Sequence, residues 1–352
     1  MDTTRITSKN QEAAPLSLSN SEEKLSPAQS KPPAFDATRF EHADLDFSPD
    51  KTWDDSKEFA VKAPYSYLES APGKDFRMAL INAFNAWLGV SEEKVDIIVH
   101  SVSMLHTASL LIDDIQDESL LRRGLPVAHT IFGLAQTINS ANYIYFQAAC
   151  ELQKLRSRRA IDIFNEELVQ LHRGQGMELM WRETLTCPSE DDYLEMISNK
   201  TAGLFRLAVR LLQEESDVEP KADGFVSLAQ LLGLIYQIVD DYRNMTDEKY
   251  IEQKGFYEDL TEGKFSFPVV HSIHTDRADT RLLSILRSKT TDDNIKRHAI
   301  DHMQKKGSLE YTRKVIAILT ERARALATRL DAGTGKAKAF LAILDKASAI
   351  GA

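Results

Sequence analysis

Apolar residues recur every three or four positions through most of the chain beyond residue 57. One such set is Phe76, Leu80, Phe84, Trp87 and Leu88. This spacing matches the turn of an α-helix, so it predicts amphipathic helices rather than strands. The run 228–239 is apolar nearly all round, which predicts a helix in the middle of a bundle. The sequence therefore predicts one large all-α domain over residues 55–352.

Proline and glycine mark where the predicted helices end. We expect breaks near Gly124–Pro126, Cys187–Pro188 and Gly263–Pro268. Residues 1–50 differ from the rest, because they hold five of the eleven prolines together with eleven Ser or Thr residues. A segment of this composition cannot bury a core, so we expect residues 1–54 to form a disordered leader or linker.

Composition excludes several classes of protein. The 352 residues include 43 Lys or Arg and 53 Asp or Glu, and the net charge of −10 argues against a nucleic-acid partner. The two cysteines, Cys150 and Cys187, are too few for a disulfide scaffold or a cysteine zinc cluster, and they fit a reducing compartment. The longest uncharged stretches, such as 101–112, are shorter than the ~20 residues of a membrane-spanning helix. We expect a cytoplasmic protein with no transmembrane segment.

Two predicted helices each run into a pair of carboxylates. The two sets are Asp113, Asp114 and Asp117, and Asp240, Asp241 and Asn244. Positions i and i+4 lie about 40° apart on a helix, one turn above the other. Carboxylates beside an apolar core need a counter-charge, and Mg²⁺ with a phosphate-bearing ligand supplies one. One such motif alone is more often a solvated helix end, but two in matching contexts favour a metal site.

Basic residues cluster in the sequence around these acidic motifs. They are Lys74, Arg77, Arg122, Arg123, Lys200, Lys254 and Lys264. Lys74 and Arg77 stand at the predicted start of a helix, which is a favourable position for an anion. His106 lies two turns before Asp113 and shares its helix face. Two metal chelates and a separate basic site inside an apolar bundle predict two diphosphate substrates with apolar tails.

The sequence offers no obvious catalytic nucleophile. It shows no Ser-His-Asp or Cys-His arrangement, no Walker-type loop and no Gly-x-Gly-x-x-Gly motif. A reaction that is driven by ionisation of a leaving diphosphate is therefore favoured.

Several segments resemble those of trans-isoprenyl diphosphate synthases, and most closely those of eukaryotic, chiefly fungal, geranylgeranyl diphosphate synthases. The segments are 73–77, 113–124, 171–176, 181–182, 200–205, 240–244 and 258–268, within a similarity over residues 63–325. The resemblance implies a large helical bundle of the isoprenoid synthase type with a central apolar cavity. It also implies a homodimer or higher homo-oligomer. The implied reaction condenses isopentenyl diphosphate with dimethylallyl, geranyl or farnesyl diphosphate, giving mainly geranylgeranyl diphosphate.

The resemblance also implies a role for each residue that matches a motif. Up to three Mg²⁺ ions would be held by Asp113, Asp114, Asp117, Asp240, Asp241 and Asn244. The allylic diphosphate would contact Arg122, Lys200, Lys254 and Lys264. Isopentenyl diphosphate would contact Gly73, Lys74, Arg77, His106 and Arg123. Thr201 and Gln237 would lie beside the allylic cation and join Asp113, Asp117, Lys200 and Asp240 as catalytic residues.

Three positions depart from the usual pattern of this family. Asn244 replaces a third Asp of the second motif, Glu178 stands where Asp is usual, and Ala202 stands where Gly is usual. These differences weaken the predicted metal role of Asn244 more than the predicted activity.

Product length is expected to be set along the helix that precedes the first acidic motif. If Asp113 holds the reacting end, residues four and five positions earlier lie ~6 to 7.5 Å further down the helix. These residues are Ser109 and Ala108, which are too small to block a long tail. The resemblance implies a deeper floor formed by Tyr145, Phe146 and His172.

Other functions stay open at this point. A class I terpene cyclase uses a similar bundle, and Asp240, Asn244 and Glu248 have the spacing of its second metal motif. Such a cyclase has no use for a second-substrate site. A non-catalytic regulatory subunit is expected to have lost an acidic motif, whereas this chain retains both. The chain also fits a prenyltransferase module of a longer bifunctional terpene synthase.

Deletion of residues 1–50 is expected to leave turnover within about twofold, because surface tails contribute little to a packed core. Steady-state assays of the full and truncated chains at equal concentration check this. A large loss of turnover in the truncated chain would contradict the prediction that this segment is a leader.

Overall fold

The protein is described by a computed structural model that covers residues 36–71, 76–218, 224–247 and 256–350. Helices make up almost all of the regular structure in these ranges, and one short antiparallel hairpin accompanies them. The all-α prediction is therefore confirmed.

The helices follow one another with short connections. In chain order they are α1 (Pro49–Thr52), α2 (Asp55–Glu69), α3 (Phe76–Leu88), α4 (Glu92–Gln116), α5 (Ala128–Phe132), α6 (Leu134–Leu152), α7 (Arg158–Thr184), α8 (Glu190–Lys200), α9 (Ala202–Glu215), α10 (Gly224–Thr246), α11 (Glu258–Glu262), α12 (Phe267–Thr275), α13 (Arg281–Ser288), α14 (Asp293–Lys305), α15 (Ser308–Asp331) and α16 (Ala337–Ser348). Short 3₁₀ turns span Ala37–Glu41 and Gln153–Leu155, and the hairpin pairs β1 (Leu121–Arg122) with β2 (Leu125–Pro126).

The chain divides into two units, Met1–Trp53 and Asp54–Ala352. The described part of the first unit, residues 36–53, contains a 3₁₀ turn and α1, and none of its side chains is buried. Residues 1–35 lie outside the described residues. The leader predicted over residues 1–54 stays a prediction.

The core of the second unit lies around α4, α9 and α10. Helix α4 packs on α6 and α9, while α10 packs on α9 and α15. Leu228, Leu232 and Ile235 are fully buried along α10, which confirms that the nearly all-apolar run belongs in the middle of the bundle. Because α4 and α10 are both central, the acidic residues near their C-terminal ends are carried into the interior.

The predicted breaks coincide with the ends of elements. The first is the hairpin turn, where Arg123 and Gly124 have φ angles of 55° and 77°. A two-residue type I′ turn requires positive φ at both central positions, which glycine adopts without strain. The second break separates α7 from α8, and the third separates α11 from α12.

Among the described residues, α4 is the one helix that is long and apolar enough to cross a membrane. Half of the most apolar 18-residue stretch of α4 is buried inside the protein. The helix ends beside ion-paired carboxylates. The central helix of a globular core passes the same test, so the packing of α4 accounts for its composition.

Candidate active site

A cavity of about 830 Å³ opens within the second unit. Its walls come from α3, α4, α6, α7, α10, the junction of α8 with α9, and the segment around α11. Asp113 and Asp117 reach it from the end of α4, and Asp240 and Asp241 reach it from α10. The fold therefore brings the two acidic motifs to one cavity, although they are far apart in the sequence.

The first acidic motif is paired with cations. Arg122, which the hairpin carries, donates to Asp114 Oδ1 at 2.6 Å and contacts Asp113 Oδ2 at 3.3 Å. Asp117 is shared between Arg182, at 2.8 Å from Oδ1, and Lys264, at 2.6 Å from Oδ2. These ion pairs balance the charge of carboxylates that would otherwise lose hydration in the interior.

The predicted metal ligand Asp114 does not line the cavity. One residue turns a helix by about 100°, so Asp114 points away from the wall that Asp113 occupies. Its carboxylate is buried against Arg122, and burial raises its pKa. The structure thus places Asp114 against Arg122, and its predicted metal role stays a prediction.

The cations of the site are firmly charged. Lys200 donates to Glu178 and lies 3.5 Å from Asp113. Burial alone would lower the pKa of Lys200, but Glu178 and Asp113 raise it above its ordinary value. Lys264 behaves alike, because Glu262 and Asp117 raise its pKa well above the usual range despite burial. Both ammonium groups line the cavity and therefore face any ligand that enters.

The two carboxylates of the second acidic motif, Asp240 and Asp241, differ in their surroundings. Asp241 is buried and accepts hydrogen bonds from Gln237 Nε2 at 2.9 Å, from the Phe267 backbone at 2.7 Å and from the Tyr193 hydroxyl. Burial raises the pKa of Asp241 to about 6. These bonds tie α10 to α8 and α12, so Asp241 anchors three helices, while its metal role stays a prediction. Asp240 also lines the cavity, one residue away on α10.

Asn244 lies one turn beyond Asp240 and also lines the cavity. It is buried, and its Oδ1 atom has no hydrogen-bond partner among the described residues. A buried amide oxygen without a partner is costly. A hard cation, which takes oxygen ligands, would satisfy it.

No three acidic, His or Cys side chains converge as a preformed metal cage within the described part of the chain. Mg²⁺ is usually held by one or two carboxylates together with water and substrate phosphates. Asp113, Asp117 and Asp240 on the cavity wall, with the amide oxygen of Asn244, fit that mode.

The second predicted anion site is partly described. Arg77 and His106 line the cavity. Burial, together with Arg77 and Arg123, lowers the pKa of His106 well below its ordinary value, so the imidazole is neutral at pH 7. Gly73 and Lys74 fall outside the described residues, as does Lys254 of the allylic set.

Arg123, a predicted contact of isopentenyl diphosphate, does not line the cavity. Its guanidinium donates to the backbone oxygens of Leu68, at 3.4 Å, and Ala71, at 3.2 Å. The left-handed turn sends Arg122 and Arg123 in different directions, so only Arg122 reaches the cavity. Arg123 still lies close enough to His106 to act on it electrostatically.

Thr201 and Gln237 meet across the cavity wall. The Thr201 hydroxyl donates to Gln237 Oε1 at 2.6 Å, and Gln237 Nε2 donates to Asp241. The pair is thus oriented by a buried carboxylate, and both residues line the cavity. Their place beside the allylic cation stays a prediction.

The predicted tail-binding residues divide into two groups. Ser109, Tyr145 and His172 line the cavity, and the last two rings meet edge to face at 6.1 Å. Ala108 is fully buried outside the wall, and Phe146 is 74% exposed on the surface of α6. Each of these two is next in sequence to a lining residue, and the 100° helical turn carries it off the wall. Ala108 and Phe146 therefore do not line the cavity, and their predicted role in product length stays a prediction.

Sequence reasoning missed several members of the site. Arg182 was noticed only as part of a motif, yet its side chain is buried against Asp117 and also donates to the Gln116 backbone oxygen at 2.6 Å. Asp259 and Glu262 line the cavity, and burial raises the pKa of both. Their spacing of three residues on α11, just before Lys264, was a signal that could have found them.

Comparison with known proteins places these features in context. A family model described as polyprenyl synthetase matches residues 58–303. A geranylgeranyl pyrophosphate synthase of Hypoxylon pulicicidum is 56% identical over 88% of this chain and 80% of its own length. One of Fusarium fujikuroi is 55% identical over 90% of this chain and 76% of its own length. A copalyl diphosphate synthase of Talaromyces verruculosus is 53% identical over 75% of this chain, but over only 27% of its own length.

Proposed function

Because this chain belongs to the polyprenyl synthetase family, we propose that it is a geranylgeranyl diphosphate synthase. It condenses isopentenyl diphosphate with dimethylallyl, geranyl or farnesyl diphosphate. One observation carries the proposal: both acidic motifs, their cations and the Arg77–His106 site open onto one cavity that continues between apolar side chains. The similar fungal proteins bear the same activity in their names.

The reaction follows from this arrangement. Arg122, Lys200 and Lys264 hold the allylic diphosphate, and it departs with the electron pair of its carbon–oxygen bond. The hydroxyl oxygen of Thr201 and the amide oxygen of Gln237 favour the allylic cation that remains. Isopentenyl diphosphate, held by Arg77 and His106, attacks this cation through its double bond. A proton is then lost to the released diphosphate, so the protein need not supply a base.

Arg122, Lys200 and Lys264 already pair with carboxylates of the first motif, so the leaving diphosphate would draw on further positive charge. Bound Mg²⁺ would supply it, with Asp113, Asp117, Asp240 and Asn244 as the oxygen donors that face the cavity. Arg122, Lys200 and Lys264 contact the carboxylates of the first motif in this structure and also line the cavity. They can therefore serve a diphosphate from the positions they already occupy.

The comparisons lend no support to a class I cyclase or a non-catalytic subunit, whereas the partial match to the longer copalyl diphosphate synthase is consistent with the module alternative. A class I cyclase ionises one substrate and has no need of the Arg77–His106 site. A non-catalytic subunit has no need of Asp113, Asp117 and Asp240 around one cavity. Glu248, which completes the cyclase-like spacing, lies outside the described residues.

We also propose that the enzyme is a cytoplasmic homodimer or higher homo-oligomer. Helices α6 and α7 carry exposed apolar side chains, which favour a protein partner over water. These are Leu134, Ile138 and Phe146 on α6 and Val169, Met177 and Met180 on α7. Both cysteines are free, as expected in a reducing compartment.

The proposed activity is tested by incubating labelled isopentenyl diphosphate with each allylic starter in turn. Chromatography of the dephosphorylated products is expected to show mainly the twenty-carbon alcohol. Products that retain the carbon number of the starter would instead indicate a cyclase, and no reaction in the presence of Mg²⁺ would contradict the proposal.

Turnover is expected to require Mg²⁺. Asp113→Ala or Asp240→Ala should lower kcat by about 100-fold or more, because each removes a proposed oxygen donor to the Mg²⁺ that would stabilise the leaving diphosphate. Asp96→Ala is a matched control, since Asp96 is exposed on the same helix as Asp113. Undiminished turnover in EDTA would contradict the metal assignment.

The two anion sites are expected to separate in steady-state kinetics. Arg77→Ala should raise KM for isopentenyl diphosphate by about 10-fold, as expected for loss of a charge-assisted hydrogen bond. Lys200→Ala should mainly lower kcat, because Lys200 serves the ionising partner. If Arg77→Ala weakens only allylic binding, the assignment of the two sites is wrong.

The wall residues predict how product length responds to substitution. Ser109→Phe should fill the tail channel and shorten the product toward fifteen carbons. Tyr145→Ala or His172→Ala should deepen the channel and give products beyond twenty carbons. Asp96→Ala is again the control, because Asp96 is exposed on α4 and does not line the cavity. Product chromatography decides, and an unchanged product from both the filled and the deepened variants would show that the tail runs elsewhere.

A further inference from the structure

Two helices approach the junction between α8 and α9 more closely than side chains permit, and each does so at a glycine. Helix α8 ends at Lys200 and α9 begins at Ala202. A Cβ atom on Gly174 of α7 would lie 2.5 Å from the Lys200 backbone nitrogen. A Cβ atom on Gly233 of α10 would lie 2.5 Å from Ala202 Cα and 2.3 Å from its Cβ. The backbone of this junction therefore lies in close contact with both α7 and α10.

These contacts differ from those of the other described glycines. A Cβ on Gly224 or Gly203 would approach the side chain of Leu330 or Leu171, which can move aside. Within the described ranges, only Gly174 and Gly233 bring an added Cβ within 3 Å of another segment's backbone. Glycine is also a poor residue for the interior of a helix, so close backbone approach is the reason for its presence here.

Each glycine stands one turn before the polar side chain that bonds to the junction. Four residues after Gly174 is Glu178, which accepts a hydrogen bond from Lys200. Four residues after Gly233 is Gln237, which accepts one from Thr201 at 2.6 Å.

The slope of helical side chains explains this spacing. Side chains on a helix lean toward its N-terminus, so a side chain covers the turn before its own Cα. Glu178 and Gln237 therefore reach over the two turns that contain the glycines. That is where the junction backbone lies.

We propose, building on the function proposed above, that Gly174 and Gly233 are positioning residues for prenyl transfer. By admitting the junction backbone against α7 and α10, they hold Lys200 and Thr201 against Glu178 and Gln237 at the reacting end of the cavity. An added methyl group would displace the junction by about 1 Å, from 2.5 Å toward an ordinary contact of 3.4 Å or more. A displacement of that size near reacting atoms can cost about 100-fold in rate.

Single substitutions give the first test. Gly174→Ala and Gly233→Ala should each lower kcat by about 10- to 100-fold. KM for isopentenyl diphosphate should stay within about twofold, since the Arg77–His106 site belongs to other helices. Gly176→Ala is the matched control: Gly176 is exposed on the same helix as Gly174, with no atom within 4 Å of an added Cβ. It should leave both constants unchanged.

A double-mutant cycle separates positioning from packing. If Gly233 acts through the Thr201 hydroxyl, Thr201→Val should cost at most about twofold more in the Gly233→Ala background. Lys200→Met in the Gly174→Ala background provides the same test for the other helix. Effects of the two substitutions that multiply would overturn the proposal, because Gly233 would then act independently of Thr201.

Circular dichroism and thermal unfolding accompany every variant. If Gly233→Ala does not fold, the Gly174–Lys200 cycle decides, and failure of both to fold would overturn the proposal in favour of a purely structural role. An inactive unaltered chain would refute the proposed function and the positioning role with it. An active chain with multiplicative cycles would refute the positioning role alone.

Discussion

Carboxylates at the ends of two central helices lie inside an apolar bundle, and the rest of the site depends on how their charge is balanced. An unpaired carboxylate in such surroundings would lose its hydration and become protonated. Four cations pair with the carboxylates of the first motif: Arg122, Lys200 and Lys264 from the cavity wall, and Arg182 from behind it. The three on the wall can serve a bound anion. Arg182 does not line the cavity, and it also donates a hydrogen bond to the last carbonyl oxygen of α4, so its role is to hold that end of the helix.

The reactive side chains sit where helices end or break. Asp117 is the C-cap residue of α4, and Thr201 lies between α8 and α9. Arg122 directly precedes the hairpin turn, whose two central residues have positive φ angles. At such places backbone direction changes, so side chains from separate elements can point into one space. The central helices supply the apolar wall, and their ends supply the charge. Binding of a diphosphate with a long hydrocarbon tail needs both within one cavity.

Much of this could be predicted from the sequence, for a simple reason. Helical periodicity depends on local spacing, so the all-α class and the burial of α10 followed directly from the chain. The acidic motifs were recognisable because residues four apart share a helix face. The positions of Asp113, Asp117, Asp240 and Lys200 on the wall of one cavity were expected from the motif resemblance.

Placement to within one residue depended on the tertiary structure. Asp114, Ala108 and Phe146 each lie beside a residue that lines the cavity, yet a rotation of about 100° removes them from its wall. The bond between Arg182 and Asp117 depends on the distance between helices that are remote in sequence. So do the close backbone approaches at Gly174 and Gly233. Local periodicity determines which face of a helix is apolar, because it repeats along one chain segment. Which neighbour meets that face, and at what distance, is decided only when the whole bundle packs.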